Sequence, residues 1–238
     1  TSQAVNMGGL VGYIGDNCTI ESSFARAELT AGSYAYSSSY LGGLVGNISG
    51  YCSWTVADCY ADVSIDTKNG SGAGLIGQIG NSYSAYTRTI KNSYAAADMV
   101  GKDAYLYGFA YAGSSSCAVD IENCYYDSTK YTGDQATNLR SAAIEGKSTE
   151  EMESLAGQLG GSFQNQTGSY PILKWQDPNA TYSITLQLVP ENAKLIFDGE
   201  EQQENEDGVY TFSSLPSESS HSYCVSQRDD ITDYGDRE

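Results

Sequence analysis

The sequence predicts an all-β chain: a right-handed parallel β-helix, or solenoid, with a helix-containing C-terminal cap, followed by a small β-sandwich-like module. Three observations carry that expectation. The tetrad Gly8-Gly9-Leu10-Val11 returns as Gly42-Gly43-Leu44-Val45, as Ala73-Gly74-Leu75-Ile76 and, more weakly, as Tyr107-Gly108-Phe109-Ala110, with steps of 34, 31 and 34 residues between the second glycines. A second element travels with it, in which Ile20, Val56, Ile90 and Ile121 hold one place and Phe24, Tyr60, Tyr94 and Tyr125 another. The composition, Gly 26 and Tyr 20 against Pro 4 and Phe 5, suits short strands joined by many tight turns. A fixed period of this length is the mark of stacked repeats.

Each copy reads as three short strands. The first is Leu10-Val11 and its counterparts. The second runs through Ile20, Ser22 and Phe24, or Val56, Asp58 and Tyr60, with period-two alternation. The third is Ala27-Glu28-Leu29, with Asp62-Val63-Ser64-Ile65 and Ala97-Asp98-Met99-Val100 in later copies. No strand of that length buries a face alone. Stacking coil on coil pairs the backbone groups and builds one interior ladder from Ile20, Val56, Ile90 and Ile121. Glycines beside the Leu-Val pair let the chain turn sharply at the corners. Tyr/Ser/Gly-rich inserts at 31–40, 81–86 and 105–107 make the copies unequal. They are expected to loop off one face, where repeat proteins often bind.

The repeat stops after Thr132. Ser148 then caps a short amphipathic helix, with Glu151 completing a capping box, Met152, Leu155, Ala156 and Leu159 on one face, and Gly160 ending it. Tyr170, Ile172, Leu173 and Trp175 follow as apolar cap core. An open solenoid end exposes core and unpaired strand edge, so residues from about 133 to 178 are expected to cap a domain spanning 1–178. From Thr181 alternation resumes in a separate unit at 179–226, with Asp198-Gly199 as a hairpin turn. Residues 227–238 read as a disordered tail. The chain opens inside a repeat and is expected to be a piece of a longer protein.

The formal net charge of -18 excludes a nucleic-acid partner, which would need a basic footprint. No apolar run is long enough to insert into a membrane. Residues 191–238 concentrate the charge, with thirteen acids against three bases. This reads as solvation by self-repulsion, with attraction of divalent cations as the lesser alternative. The six cysteines follow the repeat: Cys59 and Cys124 share a slot with Ser23 and Ser93. Buried free thiols are expected, with bridges from Cys52 and Cys117 to the cysteines seven residues on as the alternative. His221 is the one histidine and has no closely spaced partner for zinc, so no metal and no cofactor is expected.

Asp58, Asp62, Asp98, Asp103 and Asp120 could be recruited for paired-carboxylate chemistry. Asp58, however, shares its place with Ser22, Asn92 and Asn123, the place of an ordinary turn or outward-facing strand residue, and no catalytic residue is expected. The candidate ligand-binding residues are Tyr34, Tyr36, Tyr40, Tyr83, Tyr86 and Tyr105, because aromatic rings give rigid contact area and the Ser, Gly and Asn around them give adaptable hydrogen bonds. The chain is expected to be a monomer.

The Gly-Gly-Leu-Val-Gly element followed by Ile-x-x-Cys/Ser-Tyr-Ala resembles the GLUG repeat of large surface-exposed bacterial proteins, including adhesin-like proteins and some IgA-cleaving metallopeptidases. The resemblance covers about residues 8 to 129. The helix at Ser148 to Met152 and the run Tyr170 to Trp175 look like the segment that often closes such arrays. Residues 181 to 225 are similar to small β-sandwich modules found beside them in Gram-positive surface proteins. The fourth copy departs from the pattern, with Tyr111 in a glycine's place. The resemblance implies an extracellular or cell-surface location and a non-catalytic role as adhesin or scaffold, binding a glycan or a host surface protein. The alternative is an accessory domain of a large secreted hydrolase or peptidase whose catalytic domain lies outside this chain. The resemblance hands over no catalytic residues.

Overall fold

The computed structural model describes residues 4–32, 38–81, 86–101, 106–131, 133, 135–139, 143–188, 194–203, 208–216 and 219–226. Two compact units divide the chain, Thr1–Leu173 and Lys174–Glu238. In the first, the repeat becomes a parallel β-solenoid. The first coil comprises β1 (Asn6–Gly8), β2 (Val11–Ile14), β3 (Cys18–Glu21) and β4 (Phe24–Thr30). The second has β5 (Tyr40–Gly42), β6 (Val45–Ile48), β7 (Trp54–Ala57) and β8 (Tyr60–Asp66). In the third, β9 (Ser71–Ala73) and β10 (Ile76–Ile79) precede the long β11 (Arg88–Val100). The fourth has β12 (Leu106–Tyr107), β13 (Ala110–Ala112) and β14 (Asp120–Asp127). Like strands pair in parallel into three sheets: β1-β5-β9-β12, β13-β10-β6-β2, and a third built from β3, β4, β7, β8, β11 and β14.

The sequence reading missed the first of these sheets. Tyr40, Leu106 and Tyr107, assigned there to inserts, lie in strands that enter each Gly-Gly corner. Their short runs of Gly, Ser and Tyr carry no alternation signal, and only pairing with the neighbouring coil makes them strands. The Ile20–Val56–Ile90–Ile121 ladder is in register across all four coils. Val56 and Ile90 at its centre are fully buried.

The tetrad has a steric cause. A Cβ on Gly9, Gly43 or Gly74 would stand 2.6, 2.6 and 2.8 Å from the Cβ of Ala25, Ala61 and Ala95, and each would also strike the backbone carbonyl of the corresponding glycine in the next coil. Real Cβ atoms do not approach so closely, so the second glycine of each corner and the alanine facing it form one paired column of small residues. Leu44, Leu75 and Phe109, next in the chain, are fully buried. In the fourth coil Tyr126 stands in register with Ala95, and its ring lies where a Cβ on Gly108 would go.

A second column breaks the third sheet. Ser22, Asp58, Asn92 and Asn123 all have positive φ, between 46° and 53°, in the left-handed region that Asn and Asp tolerate best. The next residue closes the kink by bonding back two residues: Ser23 Oγ and Ser93 Oγ donate to the carbonyls of Glu21 and Lys91 at 2.7 and 2.8 Å. Cys59 Sγ donates in the same way to Ala57 at 3.0 Å, and Cys124 Sγ to Glu122 at 3.3 Å. This explains why Ser and Cys alternate in the slot. All six cysteines are free thiols, and burial pushes Cys59 and Cys124 up to about 12, well out of the reactive range.

Past the fourth coil, residues 133–173 do two separate things. The backbone N–H groups of Gly108 and Phe109 donate to the carbonyls of Gln135 and Ala136, and β15 (Ile144–Lys147) pairs in parallel with β14, so these segments cover the last strand edge. The rest turns back along the flank of the solenoid. Helix α1 (Thr149–Glu153) starts at the Ser148 capping box, and a 3-10 turn at Leu155–Gln158 succeeds it. A hairpin of β16 (Phe163–Gln166) and β17 (Ser169–Leu173) follows. Met152, Leu155, Ala156 and Leu159, the anticipated apolar face, pack with Phe163, Tyr170 and Leu173 against Tyr60 and Tyr94 on the outside of the third sheet. Trp175, expected in this core, is 48% exposed and belongs to the second unit.

A buried carboxylate pins the segment in place. Asp127, at the end of β14, accepts hydrogen bonds from Tyr170 Oη at 2.6 Å and Thr149 Oγ1 at 2.7 Å, and from the backbone N–H groups of Thr129 and Lys130 at 2.7 and 3.0 Å. Burial raises its pKa, but these donors outweigh burial and hold the carboxyl below its ordinary value. Tyr170, buried and facing that carboxylate, is pushed the other way.

The second unit has two small antiparallel sheets. One joins β18 (Thr181–Gln187) to β21 (Val209–Pro216). The other orders β20 (Glu200–Glu201), β19 (Lys194–Phe197) and β22 (Tyr223–Ser226). Phe197 of one sheet stacks on Phe212 of the other at 3.8 Å, and Leu195, Phe197 and Tyr210 are buried. The expected tail at 227–238 lies outside the described residues.

Two predictions follow from the packing. Gly43→Ala should cost about 1–3 kcal/mol or more, by driving a methyl into Ala61 and the Gly74 carbonyl, whereas Gly157→Ala, with open space around it, should change stability by no more than about 0.5 kcal/mol. Urea unfolding of both variants checks this, and equal midpoints would rule out the small-residue column. Asp127→Asn should remove about 1.5–3 kcal/mol at neutral pH. Because the folded-state pKa of Asp127 is depressed, its contribution is present above the unfolded value near pH 4 and is lost as pH falls through the folded one. The two proteins should therefore converge in stability in acid, which unfolding curves from pH 7 down to 2 would record.

Candidate functional site

The outer face of the third sheet is set by alternation on β4, β8 and β11. Ala25, Ala61 and Ala95 point inward at the glycine corner, and Leu29 and Ile65 are buried two repeats of the pleat further on. The residues between them face out and line up coil on coil in the pairing register: Phe24, Tyr60 and Tyr94, then Arg26, Asp62 and Ala96, then Glu28, Ser64 and Asp98. The aromatic column is stacked at 5.2 and 5.0 Å between ring centroids. The flank segment covers Tyr60 and Tyr94 completely but leaves Phe24 only partly buried.

Beside that cover the charged columns form an open groove of about 460 Å³ lined by Arg26, Glu28, Asp62, Ser64, Asp98 and Lys130. Lys130 comes from the turn held by Asp127 and bridges two coils, its Nζ lying 3.4 Å from both Asp62 and Asp98. Arg26 lies 3.8 Å from Asp62 on the other side. Both cations also sit over rings, Lys130 at 5.3 Å from Tyr170 and Arg26 at 5.9 Å from Phe24 and Tyr60. Each exposed pair contributes no more than about 1 kcal/mol, so the groove matters more as a row of alternating donors and acceptors than as a stabilising device. The sequence reading passed over Arg26 and Lys130. The signal was there for Arg26, two residues past the aromatic column on an alternating strand, but not for Lys130, which arrives from another coil's turn.

Three of the carboxylates weighed for catalysis, Asp58, Asp62 and Asp98, are already committed, and Asp120 lies exposed at the start of β14. Asp58 accepts from Asn92 Nδ2 at 2.9 Å and Ser162 Oγ at 3.0 Å, Asp62 and Asp98 share Lys130, and Asp103 lies outside the described residues. Among the described residues no group of three or more His, Cys, Asp or Glu is placed to hold a metal ion. None of their helices is long and apolar enough to cross a membrane.

Of the tyrosines singled out from sequence, Tyr34, Tyr36, Tyr83 and Tyr105 lie outside the described residues. Tyr40 and Tyr86 are both half-buried, but the fold does not place their inserts alike. The insert ending at Tyr40 leads from the third sheet into the first, while the one ending at Tyr86 leads from the second sheet into the third. The single insert face expected from sequence is therefore divided between two corners of the coil. Tyr86 lies under the Arg88 guanidinium at 5.8 Å. Tyr40 belongs to a strip of rings: Tyr111 stacks on it at 6.2 Å and on Tyr107 at 5.0 Å. Tyr111 is the residue in the glycine's place, and a register irregularity between β10 and β13 accompanies it. What looked in sequence like a decayed repeat is the centre of an aromatic strip.

Compared with protein-family models, with curated proteins and with solved structures, the chain matches none.

Proposed function

We propose that the solenoid is a non-catalytic segment of a bacterial cell-surface protein, an adhesin or scaffold of the kind the GLUG resemblance implies. On this reading it engages a neutral or cationic glycan, or a host surface protein, through its surface tyrosines. The observation that carries the proposal is the strip Tyr40–Tyr111–Tyr107, three half-buried rings stacked at 6.2 and 5.0 Å on strands of the second and fourth coils. Rings fixed on paired strands present apolar faces and hydroxyls with little entropy left to lose, which suits the faces and hydroxyls of a sugar. The net charge of -18 disfavours polyanionic ligands. The stacked coils add rigidity over the whole length of the unit, which a presenting scaffold requires.

Glycan-array binding of the intact chain tests the proposal, with Tyr40→Ala and Tyr111→Ala combined in one variant. Loss of centrally placed aromatic anchors should weaken binding by about tenfold or more while circular dichroism stays unchanged. Absence of any glycan or surface-protein ligand, or binding that survives both changes, would leave the strip as cover for the solenoid corner.

A further inference from the structure

The second unit holds a side-chain arrangement that the solenoid reading does not use. The Asp198-Gly199 turn that follows β19 has both residues at positive φ, 51° and 84°, and brings Asp198 against the segment leading into β22. Asp198 Oδ1 accepts from the Ser222 backbone N–H at 2.8 Å, and its Oδ2 lies 2.6 Å from His221 Nδ1. On the far side of the ring, His221 Nε2 lies 2.7 Å from Ser219 Oγ. The imidazole is also stacked on Phe197 at 5.3 Å, which fixes its plane. Its side chain is 20% exposed, so the ring is held but reachable.

A proton on Nδ1 is matched by the carboxylate, and in that tautomer Nε2 turns a lone pair to the serine hydroxyl. The hydrogen bond from His221 keeps the Asp198 carboxyl below its ordinary value, so an anion faces the ring. Ser219 Oγ also donates to the Pro216 carbonyl at 2.7 Å, so the hydroxyl oxygen is held between that carbonyl and the ring. Nucleophile, base and orienting carboxylate stand at the separations that acyl transfer needs.

We propose that Ser219, His221 and Asp198 form a reactive-serine centre that takes the acyl group of an activated ester. Ser219 Oγ attacks the carbonyl carbon as its proton passes to His221 Nε2. The bond from that carbon to the ester oxygen then breaks, and the departing alcohol takes the proton from Nε2, leaving an acyl-serine and the free alcohol. Water adds to the acyl carbon with its proton passing to Nε2, and Ser219 leaves with that proton as the carboxylic acid is released. Ser219 and His221 touch the reacting atoms, while Asp198 is a positioning residue acting through the ring. This centre lies wholly in the second unit and is independent of what the solenoid binds.

The full chain treated with a fluorophosphonate probe and mapped by peptide mass spectrometry tests the assignment, with p-nitrophenyl acetate hydrolysis as a second readout. The expected result is label at Ser219 ahead of every other serine, slowed about a hundredfold or more in His221→Gln, and declining on the acid side as the imidazole takes a proton. Asp198→Asn should slow labelling and shift that pH profile. Because Asp198 also clamps the hairpin turn, Ser219→Ala serves as the folded control: it should keep the wild-type melting temperature and abolish both labelling and hydrolysis. Label at Ser219 no faster in the wild type than in His221→Gln, label spread over other serines, or no label at all would overturn the proposal.

Discussion

The solenoid depends on one steric constraint, the meeting of a glycine and an alanine at the corner of each of the first three coils. With Gly43 and Ala61 in this contact, no side chain larger than a methyl fits on the one side and no Cβ at all on the other. That closeness lets Leu44 and Leu75 turn fully inward immediately afterwards. It also fixes the register of the third sheet against the corner, because sliding a strand by one residue would bring Asp62 where Ala61 must be and turn the inner face outward. Everything outside the core inherits this register. The stacked rings of Phe24, Tyr60 and Tyr94 and the charged columns beside them are a direct projection of the inner alanine column onto the outer face.

A second constraint sits within the sheet. The left-handed residues Ser22, Asp58, Asn92 and Asn123 kink each pass at the same point, and the following Ser or Cys bonds back to stabilise the kink. The kink residues also bond to one another: Asn123 Nδ2 donates to Asn92 Oδ1 at 3.0 Å, and Asn92 Nδ2 donates to Asp58 Oδ1 at 2.9 Å. A polar ladder thus runs along the outside of the coils, parallel to the isoleucine and valine ladder inside. Cysteine in this setting is a small hydrogen-bonding residue, not a redox group, and its buried thiol is too weakly acidic to react.

The flank segment joins the solenoid to the surface chemistry. By lying over Tyr60 and Tyr94 it buries two large rings that an isolated sheet would expose, each contributing on the order of 1.5–3 kcal/mol. Asp127 ties the start of α1 and the strand β17 to one carboxylate, and the same turn delivers Lys130 to Asp62 and Asp98. One buried anion therefore organises both the cover and the groove beside it.

The sequence by itself determined the repeat period, the isoleucine and valine ladder, the apolar face of α1 with its Ser148 cap, and the longer strands of the second unit. All of these follow from local spacing or from a residue type recurring at a fixed interval, which needs no knowledge of what lies across the fold. Tertiary structure alone decided the rest. The strands at Tyr40 and Tyr107 exist only because neighbouring coils supply their hydrogen bonds. The helix and hairpin lie on the flank because the ring column offers apolar area there, which periodicity along the chain does not reveal. Tyr111 reads as a lost glycine until its ring is seen between Tyr40 and Tyr107. His221 lies two residues from Ser219 but 23 from Asp198. Only the turn at positive φ brings that carboxylate to the ring, since side-chain geometry of this kind depends on how distant segments pack and leaves no period in the sequence.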